Sequence, residues 1–145
     1  MNKETNPKEA FGSAKPPTST VPQTVVYELG LAMLEGALKY GRHNYRISGI
    51  RSSVYFDAAK RHLDAWWEGE DIDPESGLSH LVKAMACLAV MRDAQICGMV
   101  NDDRPPSAPH GWMEDMAAKV AALKERYPNP KQPYVRGETE LHTEN

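Results

Sequence analysis

The sequence predicts an all-α protein, a bundle of about four helices with flexible extensions at both ends. Apolar residues recur at helical spacing in three long segments, and a fourth segment is apolar at nearly every position. No strand-like alternation of useful length occurs. The chain has 145 residues, which fits one domain with its own core. The predicted helices span residues 24–40, 53–68, 73–96 and 112–127.

The composition excludes several classes of protein. The formal net charge is −3, whereas a general nucleic-acid binder carries a surplus of Lys and Arg. No segment approaches the roughly 20 apolar residues of a membrane span, and no signal-peptide pattern opens the chain. Cys87 and Cys97 would lie about 15 Å apart on one helix, too far for a disulfide. We therefore expect a reduced, cytoplasmic protein that binds neither membranes nor nucleic acid directly.

The two ends of the chain differ from its centre. Residues 1–23 are polar and rich in Lys, Pro, Ser and Thr, so burial of apolar surface there could hardly offset the entropy of ordering. Residues 128–145 are polar and contain several prolines. We predict a flexible N-terminal arm, a helical domain over residues 24–127, and an extended or disordered C-terminal tail.

The first predicted helix, 24–40, ends at Gly41, which suits the left-handed position that closes many helices. Gly30 and Gly36 lie inside it, and each costs about 1 kcal/mol relative to Ala. These glycines indicate either close approach of another backbone or a ligand, or simple tolerance of Gly. One apolar face is predicted from the spacing of Val26, Leu29, Met33, Ala37 and Tyr40.

A basic loop follows this helix over residues 41–52 and is the most cationic stretch of an acidic chain. Guanidinium groups match phosphate oxygens in pairs, and a Lys adds a point charge. Together with Lys39, the loop is a candidate phosphate site; the alternative is a solvated basic loop. Its polar residues are Arg42, His43, Asn44, Arg46 and Arg51.

The segment RHLDAWWEGEDIDPESGLSH, residues 61–80, is the predicted centre of the molecule. It begins as a helix whose apolar stripe holds His62 and Trp66, and it breaks at Gly69. Asp73-Pro74-Glu75 has the composition of a helix start, with Asp as N-cap and Pro at the first helical position. The resulting helix would deliver His80. Close carboxylates suit a divalent cation, so the acidic corner is a candidate metal site; a solvated loop with a good cap is the alternative. The acids of this corner are Glu70, Asp71 and Asp73.

The third predicted helix, 73–96, is apolar over residues 81–91 at nearly every position except Lys83. A helix that is apolar all round is buried or shared with a partner. We therefore expect it to form the core of the bundle and part of the interface of a homo-oligomer, at least a dimer. The fourth helix, 112–127, precedes Pro128 and has an apolar stripe of Trp112, Met116, Val120, Leu123 and Tyr127.

Three strings together resemble the phage-type dATP/dGTP diphosphohydrolase domain. They are LEGALKYGRHNY at 34–45, YFDAAKRHLDAWWEGEDIDPESGLSHLVKAMACL at 55–88 and NDDRPP at 101–106. That family is grouped loosely with the MazG-like all-α nucleoside triphosphate pyrophosphohydrolases. The resemblance implies conversion of dATP or dGTP to the monophosphate and pyrophosphate with Mg²⁺ or Mn²⁺, within phage nucleotide-pool metabolism.

This resemblance and the residues above suggest one composite site. Arg61 would help clamp the triphosphate, together with Lys39 and Arg42 of the basic loop. Asn44 and Trp66 would face the base. The predicted metal ligands are Glu35, Glu70, Asp71 and Asp73. The predicted catalytic residues are Glu70, Asp71, His62 and His80, the histidines acting as metal ligands or orienting water and phosphate.

The chain departs from the better-known MazG pattern, which pairs a Glu-x-x-Glu helix with a Glu-x-x-Asp helix. Here Glu28 and Glu35 are seven residues apart, and His80 with Lys83 occupies the expected place of Glu-x-x-Asp. Two alternatives therefore stay open. One is a non-catalytic helical protein that binds a nucleotide or a replication partner. The other is a His-Asp metal phosphohydrolase using His62 and His80, which ranks last because no adjacent His-Asp pair occurs.

Overall fold

The computed structural model describes residues 6–137, and within that range it confirms the all-α prediction. Two compact units divide at Arg104 and Pro105. No helix among the described residues is long and apolar enough to cross a membrane. The helices are α1 (Pro7–Gly12), α2 (Gln23–Tyr40), α3 (Ser52–Trp67), α4 (His80–Ile96) and α5 (Trp112–Arg126), and short 3₁₀ turns lie at Thr18–Thr20 and Asn44–Arg46.

The first unit is organised around α4, which packs against both α2 and α3. Its small core cluster consists of Ile50, Val90 and Ala94. The prediction that α4 is buried all round is correct for one side only, because Leu88 on the other side is 52% exposed. This exposed apolar side is compatible with a subunit interface, and the oligomer stays a prediction.

The buried side of α2 differs from the predicted stripe. Ala32 is buried and Met33 packs against the core cluster, but Val26 and Tyr40 are exposed. The spacing rule located the helix correctly. The helix packs mainly on α4 and therefore buries the small residues of its middle rather than both of its ends.

Residues 73–79 are not helical, so the predicted helix start at Asp73 is wrong. The Oδ1 atom of Asp73 accepts a hydrogen bond from the Glu75 N–H at 3.1 Å, and its Oδ2 accepts from the Ser76 hydroxyl at 2.7 Å. An Asp that binds its own backbone two residues on forms a turn, and this bond resembles the one made by a helix cap. The local pattern was therefore compatible with both structures.

The fourth helix begins at His80 instead. The Ser79 hydroxyl oxygen accepts from the Leu81 N–H at 3.2 Å and caps the helix. Ile72 and Ser79 form an antiparallel bridge, and the His80 N–H donates to the Asp71 carbonyl at 2.9 Å. The acidic corner is therefore a closed loop whose two ends meet beside the first turn of α4.

Two short strands, which the sequence did not indicate, tie the loop before α3 to the loop after α4. β1 (Ile50–Arg51) pairs in parallel with β2 (Val100–Asn101). The Ile50 N–H donates to the Met99 carbonyl at 2.9 Å. Just before β1, Gly49 has φ 73°, and a Cβ there would lie 2.7 Å from the Met99 carbonyl oxygen. Backbone lies too close to Gly49 for any side chain.

We expect Gly49→Ala to lower the free energy of unfolding by at least about 1 kcal/mol, because left-handed backbone is unfavourable for L-residues with a Cβ and the carbonyl cannot move freely. Gly30→Ala is the matched control, since a Cβ there meets nothing within 4 Å. It should instead stabilise α2 by up to about 1 kcal/mol. Urea denaturation of both variants measures this difference. Equal midpoints for Gly49→Ala and the wild type would contradict the prediction.

The space around Gly30 and Gly36 excludes one of the reasons considered for these two glycines. Neither position has another atom within 4 Å of an added Cβ. No other backbone among the described residues therefore requires these glycines, and close approach of a ligand stays a prediction. Both nevertheless line the cleft described below.

The first turn of α3 is capped by a residue 50 positions away in the sequence. The side chain of Asp103 accepts from the Ser53 N–H at 2.8 Å and from the Ser53 hydroxyl. The neighbouring Asp102 pairs with Arg104 at 2.6 Å. The NDDRPP string thus contributes the cap of α3 and a local ion pair at the end of the first unit.

The described parts of the two predicted extensions are exposed throughout. Residues 6–22 contain α1 and one 3₁₀ turn, which were not predicted. In the second unit, α5 follows the predicted bounds to within one residue, with Glu114 in its first turn and Arg126 in its last, as the helix dipole favours. Flexibility of the arm and tail stays a prediction, and residues 1–5 and 138–145 lie outside the described range.

Candidate functional site

The first unit contains a cleft of about 680 Å³ bordered by α2, α3, α4 and the loop after α2. One side is apolar, with Met33, Tyr55 and Val90 among its residues. The polar residues of the lining include Glu35, Lys39, Arg42, Asn44, His62 and Lys83. An apolar wall with a few convergent polar groups is typical of a small-molecule site.

A carboxylate shared by two lysines lies in this cleft. The Oε1 atom of Glu35 accepts from Lys83 Nζ at 2.8 Å and from Lys39 Nζ at 2.9 Å. The hydrogen bonds from Lys83 and then Lys39 lower the pKa of Glu35, and Glu35 raises the pKa of Lys39. The cluster carries a net positive charge and can accept further negative charge. Its contribution to stability is present above the ordinary Glu pKa of 4.5 and is lost as the pH falls through the lowered value.

Lys83 was not among the predicted site residues. It lies 48 residues from Glu35 in the sequence, and its side chain is 18% exposed. The sequence did contain a signal for Lys83, which is a charged residue within the apolar run 81–91. A buried Lys requires a hydrogen-bonding or charged partner. The partner could not be identified without the fold.

The basic loop divides into two parts. Arg42 and Asn44 line the cleft with Lys39, as the phosphate-site prediction requires. Arg46 does not line the cleft and forms a bidentate pair with Asp93 of α4 at 2.8 and 3.0 Å. His43, at φ 68°, adopts a left-handed conformation between Arg42 and Asn44 and also lines the cleft. The loop is therefore partly a ligand-facing surface and partly a structural anchor.

Arg61 and Trp66 lie on exposed parts of α3 outside the cleft lining. The structure does not bring either side chain to Lys39 and Arg42, with which they were predicted to act. Their roles toward the triphosphate and the base stay predictions.

Two histidines connect the cleft to the acidic corner. The Nδ1 atoms of His62 and His80 lie 2.9 Å apart, and His80 Nε2 lies 2.7 Å from Glu70 Oε1. The His80 side chain is 6% exposed, whereas Glu70 is 55% exposed. Burial lowers the pKa of His62, the positive charge of Lys83 lowers it further, and Asp73 opposes both. His62 lines the cleft, whereas His80 does not line it and is hydrogen-bonded to His62 and Glu70.

The remaining acids of the corner have separate environments. Asp71 is exposed. Asp73 is buried, which raises its pKa, but the hydrogen bonds from Ser76 and the Glu75 N–H outweigh burial, so the pKa is lowered. The carboxylate of Asp73 is ionised and is used by its own turn.

The four predicted metal ligands are therefore not gathered into one site. Glu35 is paired with lysines, Glu70 with His80, Asp73 with its turn, and Asp71 faces outward. Residues 6–137 contain no group of three or more His, Cys, Asp or Glu side chains arranged to hold a metal. Among these residues, Glu35 is the one carboxylate that lines the cleft. In general, Mg²⁺ is bound by one or two carboxylates together with substrate phosphates.

Comparison with known proteins gives two matches in sequence. The family model "dATP/dGTP diphosphohydrolase, N-terminal" matches residues 5–104, which cover the first unit and its cleft. A protein of Salmonella phage PMBT28 described as dATP/dGTP diphosphohydrolase is 29% identical over 116 residues. The alignment covers 80% of this chain and 36% of the relative, so the chain spans about a third of the relative's length. No solved structure matches.

Proposed function

We propose, for a chain that belongs to the dATP/dGTP diphosphohydrolase N-terminal family, that it hydrolyses dATP and dGTP to the monophosphate and pyrophosphate. The observation that carries this proposal is the cleft that joins two lysines, a carboxylate and a histidine beside an apolar wall. The substrate would be the free nucleotide of the host cytoplasm during phage infection.

The polar side of the cleft would hold the triphosphate. Lys39 and Lys83 are already held 2.8–2.9 Å from one carboxylate oxygen, so their ammonium groups are oriented in advance. Arg42 would add a planar pair of donors to the same anion. Preorganised cations stabilise developing charge without moving during the reaction.

The apolar side would hold the base. Tyr55 and Met33 line it and offer a flat ring and a polarizable side chain. Asn44 presents both a donor and an acceptor, which suits the edge of a purine.

A divalent ion is part of the proposal, with Glu35 as the residue that would hold it. When bound, Mg²⁺ or Mn²⁺ would neutralise phosphate charge and lower the pKa of a bound water. Lys39, Lys83 and Arg42 would hold the phosphates while the oxygen of water bonds to the α-phosphorus, a water proton passes to a basic group of the cleft, and the bond from that phosphorus to the α–β bridging oxygen breaks. Pyrophosphate then leaves with the bond electrons beside Lys39 and Lys83.

Incubation of the pure 145-residue chain with each of the four dNTPs and Mn²⁺, followed by anion-exchange chromatography, tests this function. We expect dATP and dGTP to yield their monophosphates and pyrophosphate. EDTA should stop the reaction, and a parallel sample of heat-unfolded protein is the control for contaminating hydrolase. Persistence of all four triphosphates would remove the hydrolase proposal.

A non-catalytic nucleotide binder is the second candidate. The engagement of Glu35 by two lysines, and of Glu70 by His80, favours it, because both carboxylates already have protein partners. Calorimetry with dATP, with and without Mg²⁺, distinguishes the candidates. Metal-independent binding without turnover supports the binder; turnover supports the hydrolase.

A further inference from the structure

The hydrogen bonds between Glu70, His80 and His62 form a linear chain that ends at the cleft. Glu70 Oε1 meets His80 Nε2, and His80 Nδ1 meets His62 Nδ1. His62 also lines the cleft, and its remaining ring nitrogen, Nε2, has no hydrogen bond to any residue between 6 and 137. One end of the chain is thus exposed at Glu70 and the other is at the proposed substrate cleft.

When both rings are neutral, these contacts are compatible with one arrangement of the ring protons. A carboxylate at neutral pH accepts hydrogen bonds only, so the proton of the first contact is on His80 Nε2. Neutral imidazole has a single N–H, which leaves His80 Nδ1 as an acceptor. His62 Nδ1 must then be the donor at 2.9 Å, and His62 Nε2 retains an unprotonated lone pair. The chain therefore selects one tautomer of the histidine in the cleft.

We propose that His62 Nε2 is the base that takes the proton of the attacking water, and that His80 and Glu70 are positioning residues that fix its tautomer. This assignment rests on the proposed hydrolysis. It also separates the roles of three residues that the sequence placed together as catalytic or metal-binding. Only His62 contacts the reacting atoms.

The proton and the electrons balance in this step. As the water oxygen bonds to phosphorus, one water proton moves to His62 Nε2. The bond between phosphorus and the bridging oxygen breaks, and the electron pair leaves with pyrophosphate. The imidazolium formed is stabilised through its Nδ1–H by His80, whose own Nε2–H is held by Glu70. His62 returns its proton to water or pyrophosphate when the products leave.

The surroundings of His62 favour its neutral form before the reaction. Burial lowers its pKa most, Asp73 opposes this, and Lys83 and Arg61 lower the pKa further. A base must be unprotonated at the start, so an unprotonated Nε2 at neutral pH agrees with this environment.

Nitrogen-15 NMR of the imidazole rings tests the tautomer without any measurement of activity. The 145-residue chain would be labelled at histidine, and its signals would be assigned by comparing the wild type with His62→Asn and His80→Asn. We expect His62 to show a protonated Nδ1 and an unprotonated Nε2, and His80 the reverse. In Glu70→Ala, the His62 signals should shift toward a mixture of tautomers. A His62 ring protonated at Nε2 in the wild type would overturn the proposal.

Steady-state kinetics test the base itself. His62→Asn keeps an amide that can contact His80 but has no nitrogen at the Nε2 position. We expect kcat to fall at least about 100-fold with KM changed little, as for loss of a general base. His110→Gln, in the second unit, is the matched control and should be fully active.

The kinetic outcomes separate two failures. An active wild type whose His62→Asn variant keeps its kcat overturns the base assignment alone, leaving the proposed hydrolysis in place. A wild type that hydrolyses no dNTP overturns both. Retained ellipticity and thermal midpoint of His62→Asn would show that a kcat loss is not a loss of fold.

Discussion

Replacing Glu35 with Gln should lower the hydrolysis of dATP and dGTP about 100-fold at saturating nucleotide, the size of effect seen when one preorganised electrostatic group is removed from an active site. Glu35 is the one carboxylate in the cleft lining among the described residues, and it holds both Lys39 and Lys83. Gln keeps the shape but neither the charge nor a strong ligand for a cation. The two lysines would then face each other without compensation.

Titration of Mn²⁺ against initial rate separates these effects. If Glu35 holds the ion, Glu35→Gln needs more Mn²⁺ for half-maximal rate, and excess Mn²⁺ restores part of the activity. Glu28→Gln is the matched control, because Glu28 lies on the same helix, is exposed and does not line the cleft. Unchanged rates and Mn²⁺ dependence in Glu35→Gln would move the cation to other residues.

Replacing Lys83 with Met should raise KM for dATP about 10–100-fold, because a hydrogen bond to a charged group contributes roughly 1.5–3 kcal/mol. Lys83 Nζ lies 2.8 Å from Glu35, inside the cleft. A phosphate group with more negative charge than Glu35 would compete for this ammonium group. Met fills the space of the Lys stem, so the fold should persist.

The matched control for Lys83→Met is Lys60→Met, since Lys60 is exposed on α3 and pairs only locally with Asp64. Initial rates over a range of dATP concentrations, with thermal midpoints for both variants, measure the effect. A double variant with Lys39→Met shows whether the two lysines act on the same anion, in which case their effects are not additive. A normal KM in Lys83→Met would separate the Lys–Glu cluster from phosphate binding.

Three of the four predicted helices match the structure to within one residue at both ends. α2 and α5 match their predicted bounds to within one residue, and α3 runs over Ser52–Trp67 where 53–68 was expected. Gly41 ends α2 as predicted, and it adopts φ 91°. Helical spacing and an end signal act within a few residues, so they are readable without the fold.

The first residue of α4 could not be predicted from such local signals. Asp73 followed by Pro and Glu predicts a helix cap, yet the same Asp oxygen accepts the same N–H in an Asp turn. The pairing of Ile72 with Ser79 decides between the two, and it joins residues on opposite sides of the loop. The two-residue strand pair at Ile50 and Val100 depends on even more distant residues.

Contacts between residues that are distant in the sequence also limited the prediction of the site. Lys39, Arg42, Asn44, Glu35 and His62 were predicted from residue type and position, and all five line the cleft. The contact of His62 with His80 and that of Glu35 with Lys83 required the packing of α2, α3 and α4. Sequence thus identified residues with suitable chemistry, whereas the packing of three helices decided which of them meet.

Asp103, next to the last residue of the first unit, caps a helix that borders the cleft. Its carboxylate holds the first turn of α3, and Tyr55 and Ala58 in the next turns line the cleft. The strand pair of Ile50 with Val100 joins the same two segments just before this cap. Residues 100–103 therefore position the start of α3, and with it one wall of the cleft, although none of them lines the cleft.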